Sequence, residues 1–190
     1  MIKVKTQAEI EIMRESGQIL ARTLKLLESE IRPGISTKYL DKIANEYIIS
    51  CGGKPAFLHL YGFPASICSS IDDVVVHGIP RESDILQEGQ IIGIDCGVKY
   101  KGFCSDAART FGVGHISDEK QKLIDVTRES FFEGIKGLKA NNSNLTISFN
   151  NFTFITNWFY TWSNFHLCNL LNLFLSPNYS AFCQVIRAHF

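Results

Sequence analysis

Apolar residues recur at helical spacing near the start of the chain, where Ile10, Met13, Leu20, Leu24 and Leu27 fall along one side of a helix. Thr6 with Glu9 three residues later fits a capping box at its start, and Arg32-Pro33-Gly34 stops it. Ser36 is the next N-cap candidate. Leu40, Ile43, Ala44, Tyr47 and Ile48 then mark a second amphipathic helix that ends at Gly52-Gly53. From Pro55 to Pro80 the pattern changes to short extended pieces, and the β-branched run Val74-Val75-Val76 predicts a strand. The stretch from Gln90 to Gly114 reads as two strands around a tight turn, with Tyr100-Lys101 as a two-residue loop. Ser117 caps a third helix with Leu123, Ile124, Phe131, Ile135 and Leu138 on its apolar side. Helix, helix, strands, hairpin, helix is an α+β order rather than βαβ alternation.

After Lys139 no period is sustained, and composition changes at the same place. Lysine plus arginine equals aspartate plus glutamate at 19 each, so net charge points to no nucleic-acid partner. Yet the first 139 residues hold 18 of the basic residues and all the acidic ones, while 140–190 hold only Arg187. A soluble domain is about one quarter charged, so the first segment is ordinary and the second is not. The second is rich in Asn and Phe, a composition that fits a disordered tail or AT-rich DNA read in a shifted frame. Its N-x-S/T triplets, among them those at Asn144, Asn151 and Asn178, are expected by chance in such a stretch. The expected organisation is a domain over 1–139 and an anomalous tail over 140–190.

No run of apolar residues is long enough for a membrane span, and the opening MIKVKTQAEIEIM lacks the apolar core of a secretory signal. The cysteines at 51, 68, 96, 104, 168 and 183 are scattered with no C-x-x-C spacing. They read as reduced thiols, and the expected location is cytoplasmic.

The hairpin carries the most informative pair of side chains. With Tyr100-Lys101 as its loop, Asp95 would face Asp106 directly across the ladder, Cβ atoms roughly 4.5–5.5 Å apart. Two carboxylates at that spacing destabilise a hairpin unless one is protonated or a cation lies between them. A divalent cation suits such a pair of hard oxygen donors. Ile91, Ile92 and Ile94 precede Asp95 without a neutralising lysine or arginine, which suggests a buried carboxylate needing a partner. The plainer alternative stays open: a bulge or register slip would send the two to opposite faces. His77, before Gly78 and Pro80, lies near a loop where functional groups concentrate, or is a histidine satisfied by a backbone carbonyl. On residue type alone, Phe57, Phe63 and Cys68 read as core.

Four strings, in this order, resemble the type I methionine aminopeptidases: YGFPASICSS (61–70), VVVHGIP (74–80), IDCGVKYKGF (94–103) and CSDAARTF (104–111). The segments IKVKTQAEIEIMRESGQILA and IRPGISTKYLDKIANEYI are also similar to that family. The resemblance runs from Met1 to about Lys139, roughly half of a complete enzyme. It implies the first half of an α+β pita-bread fold, built from two pseudo-symmetric halves. It implies a cytoplasmic, usually monomeric metallopeptidase that removes the initiator methionine from nascent polypeptides near the ribosome, with neither nucleic-acid specificity nor a membrane. Two divalent ions (Co, Mn, Fe or Zn) are the implied cofactor. Residue by residue, the resemblance makes Asp95 a metal ligand, Asp106 a bridging ligand, and His77 a substrate contact that assists at the reacting carbonyl. It places Phe57, Phe63 and Cys68 in the methionine pocket.

The sequence departs from the family in small and large ways. His59-Leu60-Tyr61-Gly62 stands where Gly-Tyr-His-Gly is common, and Cys104-Ser105 where His-Gly usually precedes the second aspartate. The family completes its site with a histidine and two glutamates from its second half. Residues 140–190 contain no Asp or Glu, and His166 and His189 lack the glycine-flanked context of the ligand histidine. The expectation is at most weak metal binding and little or no activity from this chain alone. The alternative reading is a non-catalytic pita-bread module that binds peptides or a partner protein.

Overall fold

A computed structural model describes residues 4–136. Helix α1 spans Gln7–Glu30 and opens with the capping box read from sequence: Glu9 N–H donates to Thr6 Oγ1 at 3.2 Å, and Thr6 N–H donates to Glu9 at 2.8 Å. Burial begins at Ser16 and continues through Ile19, Leu20, Leu24 and Leu27, whereas Ile10 and Met13 stay at the surface. Helix α2, Thr37–Ser50, is capped by Ser36, whose Oγ accepts from Tyr39 N–H at 3.1 Å. It buries Leu40, Ala44 and Ile48. Helix α3 spans Asp118–Lys136, with Ser117 Oγ accepting from Lys120 N–H. The expected apolar positions Ile135 and Leu138 lie outside the described side chains, as the anticipated tail lies outside the described residues.

Four antiparallel strands form the sheet: β1 (Lys54–Pro55), β2 (Ile67–Ile71), β3 (Ile91–Tyr100) and β4 (Phe103–Gly112). β4 pairs along the whole of β3, while β1 and β2 pair with successive stretches of its other edge. Side chains alternate across a strand, so one face of β3 presents Ile92, Ile94, Cys96 and Val98. These are fully buried in one core with Ile67, Leu86 and Val113 and with the apolar stripes of α1 and α2. Each such side chain contributes about 1.5–3 kcal/mol through burial. The other face of β3 carries Gly93, Asp95 and Gly97.

Two expectations need correction. The hairpin turns at Lys101-Gly102, pairing Tyr100 with Phe103, and not at Tyr100-Lys101. Both loop residues have positive φ, 45° and 88°, as a type I′ turn requires, and Gly102 meets that demand without a Cβ penalty. Val74-Val75-Val76 forms no strand; the strand is Ile67–Ile71. Asp72 adopts a left-handed φ of 46°, and Val74 N–H bonds back to the Ile71 carbonyl, so the chain reverses before the valines. Val74 and Val75 are left exposed.

By contact density the chain divides into two units, Lys5–Ile124 and a second comprising Met1–Val4 with Asp125–Phe190. The sheet, α1, α2 and the candidate site belong to the first. Of the second, the described part is the rest of α3, where Phe131 and Phe132 pack edge to face at 5.4 Å.

Candidate active site

The sheet face opposite the core is lined by short side chains arranged in rows. Cys68, Asp95 and Ala108 form one row across β2, β3 and β4; Ser70, Gly93 and Thr110 form the next; Gly97 and Asp106 form the row toward the turn. Asp95 and Asp106 are therefore diagonal neighbours and not directly opposed. Moving the loop by one residue shifts the register by two, which keeps both carboxylates on one face; a shift of one would have separated them.

The two side chains hydrogen-bond to each other. Burial, then the charge of Asp95, then that hydrogen bond push the Asp106 carboxyl up to about 8 from its ordinary 3.8. That direction favours a protonated Asp106 carboxyl at neutral pH. Among the described residues no third Asp, Glu, His or Cys joins it to complete a cluster. Two half-buried carboxylates on one sheet face suit a hard divalent cation, which would displace the Asp106 proton. The residues fit one edge of a metal site.

Around this pair the sequence places several walls. Cys68 is buried beside Asp95, and burial with the charges of Asp95 and Asp106 pushes its thiol well above the usual range. It is a neutral, inert surface and not a nucleophile. The Phe57 ring lies over Gly97, across from Asp106: a Cβ on Gly97 would come within 2.8 Å of it. Phe63 is half-buried at the end of a tight turn in which Leu60 N–H donates to Phe57 O at 2.9 Å and His59 N–H to Phe63 O at 2.8 Å. His59 and Tyr61 adopt left-handed φ of 65° and 50° in this turn. Such strain, about 1–3 kcal/mol per residue, concentrates at functional loops.

His77 is delivered to the edge of β2. Its neighbour Gly78 lies against that strand, accepting from Ser69 N–H at 2.8 Å and donating to Ser70 Oγ at 3.3 Å. A Cβ on Gly78 would meet the Ser69 carbonyl oxygen at 1.9 Å, so only glycine fits. His77 itself has φ 57°, a rare conformation outside glycine. Asp95, Asp106, Cys68, Phe57 and the backbone bearing His77 thus meet around one sheet face, with Phe63 at the loop beside it.

Sequence reasoning missed Asp41. This buried carboxylate on α2 accepts from Ser66 N–H at 2.7 Å and Ile67 N–H at 3.3 Å, and pairs with Lys38 at 2.7 Å. It anchors the start of β2, and hence Cys68, to the helix. The available signal was an aspartate beside Leu40 on the apolar side of α2.

The sequence model of metallopeptidase family M24 matches residues 11–152. The chain is 52% identical over 148 residues to a methionine aminopeptidase of Clostridium perfringens, covering 78% of this chain and 59% of that one. In structure it is similar to methionine aminopeptidase from Thermotoga maritima, with a TM-score of 0.71 and 34% identity over 73% of this chain and 56% of that one. The corresponding structure from Rickettsia prowazekii gives a TM-score of 0.69 and 36% identity, covering 71% and 54%. The chain spans little more than half the length of these relatives. The α+β pita-bread architecture inferred from the motifs therefore holds for the described residues. With residues 11–152 of its 190 matched in this way, the chain belongs to metallopeptidase family M24.

Proposed function

We propose that this chain carries the first half of the apparatus of a metal-dependent methionyl aminopeptidase, which removes the initiator methionine from nascent polypeptides. The carrying observation is the half-buried Asp95–Asp106 pair on one sheet face, two carboxylates that cost stability together unless a proton or a cation lies between them. In this reading Asp95 and Asp106 would hold the divalent ions. Those ions (Co, Mn, Fe or Zn) would supply an activated water and charge stabilisation at the scissile carbonyl. His77, held at the edge of β2 by Gly78, contacts the substrate near that carbonyl. The Phe57 ring, Phe63 and the neutral Cys68 receive the methionine side chain, for which an apolar, polarisable lining is suited. The work is done in the cytoplasm near the ribosome, by a monomer.

Two carboxylates do not complete a catalytic coordination shell. Among the described residues no third donor joins them, and 140–190 contain no Asp or Glu. The 190-residue chain alone is therefore expected to be inactive or nearly so. Incubating it with a Met-Ala peptide and Mn or Co tests this directly; methionine release at a rate typical of full enzymes would overturn it. The same shortage of donors favours a second reading, a non-catalytic module that binds peptides or a partner protein. Divalent-cation affinity discriminates the two, since a binding module has no use for the carboxylate pair.

The division at about Lys139, with a frame-shifted or disordered tail beyond it, belongs to the same reading. Intact mass of the protein from its source cells tests it: 21.4 kDa with tail peptides present is the mass of the chain as written. A larger mass with acidic C-terminal peptides would identify a continuous aminopeptidase frame.

A further inference from the structure

The face that carries the carboxylate pair also carries a hydroxyl with no evident task in the fold. Thr110 lies on β4 opposite Gly93, two residues along from Ala108, so its side chain leaves on the face of Asp95 and Asp106. Asp95 thus has a diagonal neighbour on β4 in each direction: Asp106 toward the turn and Thr110 away from it. Thr110 Oγ1 is buried and has no hydrogen-bond partner among the described residues.

Burying a hydroxyl without a partner is unfavourable. Valine has the same branched shape and packs as well in a strand, so packing alone gives no reason for threonine here. Two neighbours sharpen the contrast. Ser70, in the same row, has its Oγ engaged by Gly78 N–H. Ser69 also buries an unpartnered hydroxyl, but pairs with Ile94 and so leaves on the opposite, core-facing side. Thr110 alone among these combines burial, a vacant hydrogen-bonding group and the face of the carboxylates. Gly93 opposite it adds no side chain that could separate the hydroxyl from Asp95. Diagonal Cβ atoms in an antiparallel pair lie about 7–8 Å apart or somewhat less, which two short polar side chains span directly or through one water.

We propose that Thr110 is a positioning residue of the metal site, its hydroxyl donating to the Asp95 carboxylate, directly or through one water, when a divalent cation occupies the pair. The proposal rests on the reading of Asp95 and Asp106 as metal ligands. Such outer partners fix the orientation of a ligating carboxylate and strongly affect metal affinity.

The test uses the full chain, Thr110→Val and Thr110→Ser, with thermal midpoints in EDTA and in Mn and Mn affinity by calorimetry. In EDTA, Thr110→Val is expected to melt no lower than the parent, because the hydroxyl it removes makes no bond there. In Mn the parent midpoint rises, the rise shrinks in Thr110→Val with affinity about tenfold weaker, and Thr110→Ser behaves as the parent. A lower midpoint for Thr110→Val in EDTA, or its failure to fold, would assign the hydroxyl to the fold and overturn the proposal. An unchanged Mn response in a folded Thr110→Val would overturn it while leaving the metal reading intact. A parent that ignores Mn would instead remove the metal reading, and this proposal with it.

Discussion

Asp106 is the residue on which the physics bears hardest. Its carboxyl is raised to about 8 in the folded chain, against an ordinary value of 3.8. Between those values the folded chain holds a proton that the unfolded chain has released. The stabilising contribution is thus whole below the lower value and is lost as pH rises through about 8. In EDTA the thermal midpoint is expected to fall as pH rises from about 5 to about 9, the unfolding free energy losing on the order of a few kcal/mol from this group. Asp106→Asn should remove that component of the fall, and an unaltered pH profile in the variant would show that the proton lies elsewhere. Gly97 acts by what it lacks. Gly97→Ala would place a Cβ 2.8 Å from Phe57 Cε1 and 2.9 Å from Ala56 Cβ. We expect a loss of about 1–3 kcal/mol by chemical denaturation, with the Mn response kept because neither carboxylate is touched. At this scale the sequence was legible where a residue's type carried its chemistry. Asp95 stood out as an unneutralised carboxylate after an isoleucine run, and Asp106 as its partner across the hairpin, while Gly97 and Thr110 are defined by the space around them, which no local pattern encodes.

At the scale of elements, local signals sufficed where the chain satisfies its own backbone. The Thr6–Glu9 box, the Ser36 cap and the stops at Gly34 and Gly52 are local hydrogen bonds and backbone conformations, and all three helices follow them. The strand forecast at Val74-Val75-Val76 failed for the opposite reason. Strand propensity needs a partner edge, and the partner of β3 is ICSSI at Ile67–Ile71, whose serines gave no strand signal. The hairpin loop was misplaced by one residue because Gly102 was read as a strand residue, although its lack of a Cβ suits it to the turn. Asp41 ties these elements together. Asp41→Ala leaves the Ser66 and Ile67 N–H groups at the start of β2 and the Lys38 charge without this acceptor, and is expected to cost about 3–5 kcal/mol. Asp41→Asn retains one acceptor oxygen for Ser66 and Ile67 and should recover part of that loss. Urea denaturation of the two variants checks the order; equal losses would assign the effect to the Lys38 ion pair.

For the whole molecule, the order helix, helix, strands, hairpin, helix was readable because each element is contiguous in sequence. The site was less so, since Cys68 on β2 joins the Asp95 and Asp106 of the β3–β4 hairpin only through pairing between segments distant in sequence. The family motifs supplied what periodicity could not. Family M24 membership and a structure matching 54–56% of two solved methionine aminopeptidases agree that the chain spans about half the length of such a protein. Among the described residues no third Asp, Glu, His or Cys joins Asp95 and Asp106, and a complete catalytic metal shell needs more donors than two. What decides the matter is whether those two side chains hold a cation. Calorimetric titration of Mn into the full chain at about pH 8, beside Asp106→Asn, asks this most directly. Weak binding in the parent that disappears in the variant is the expected result. No binding in the parent, or equal binding in both, would mean that Asp95 and Asp106 are not a metal site in this chain.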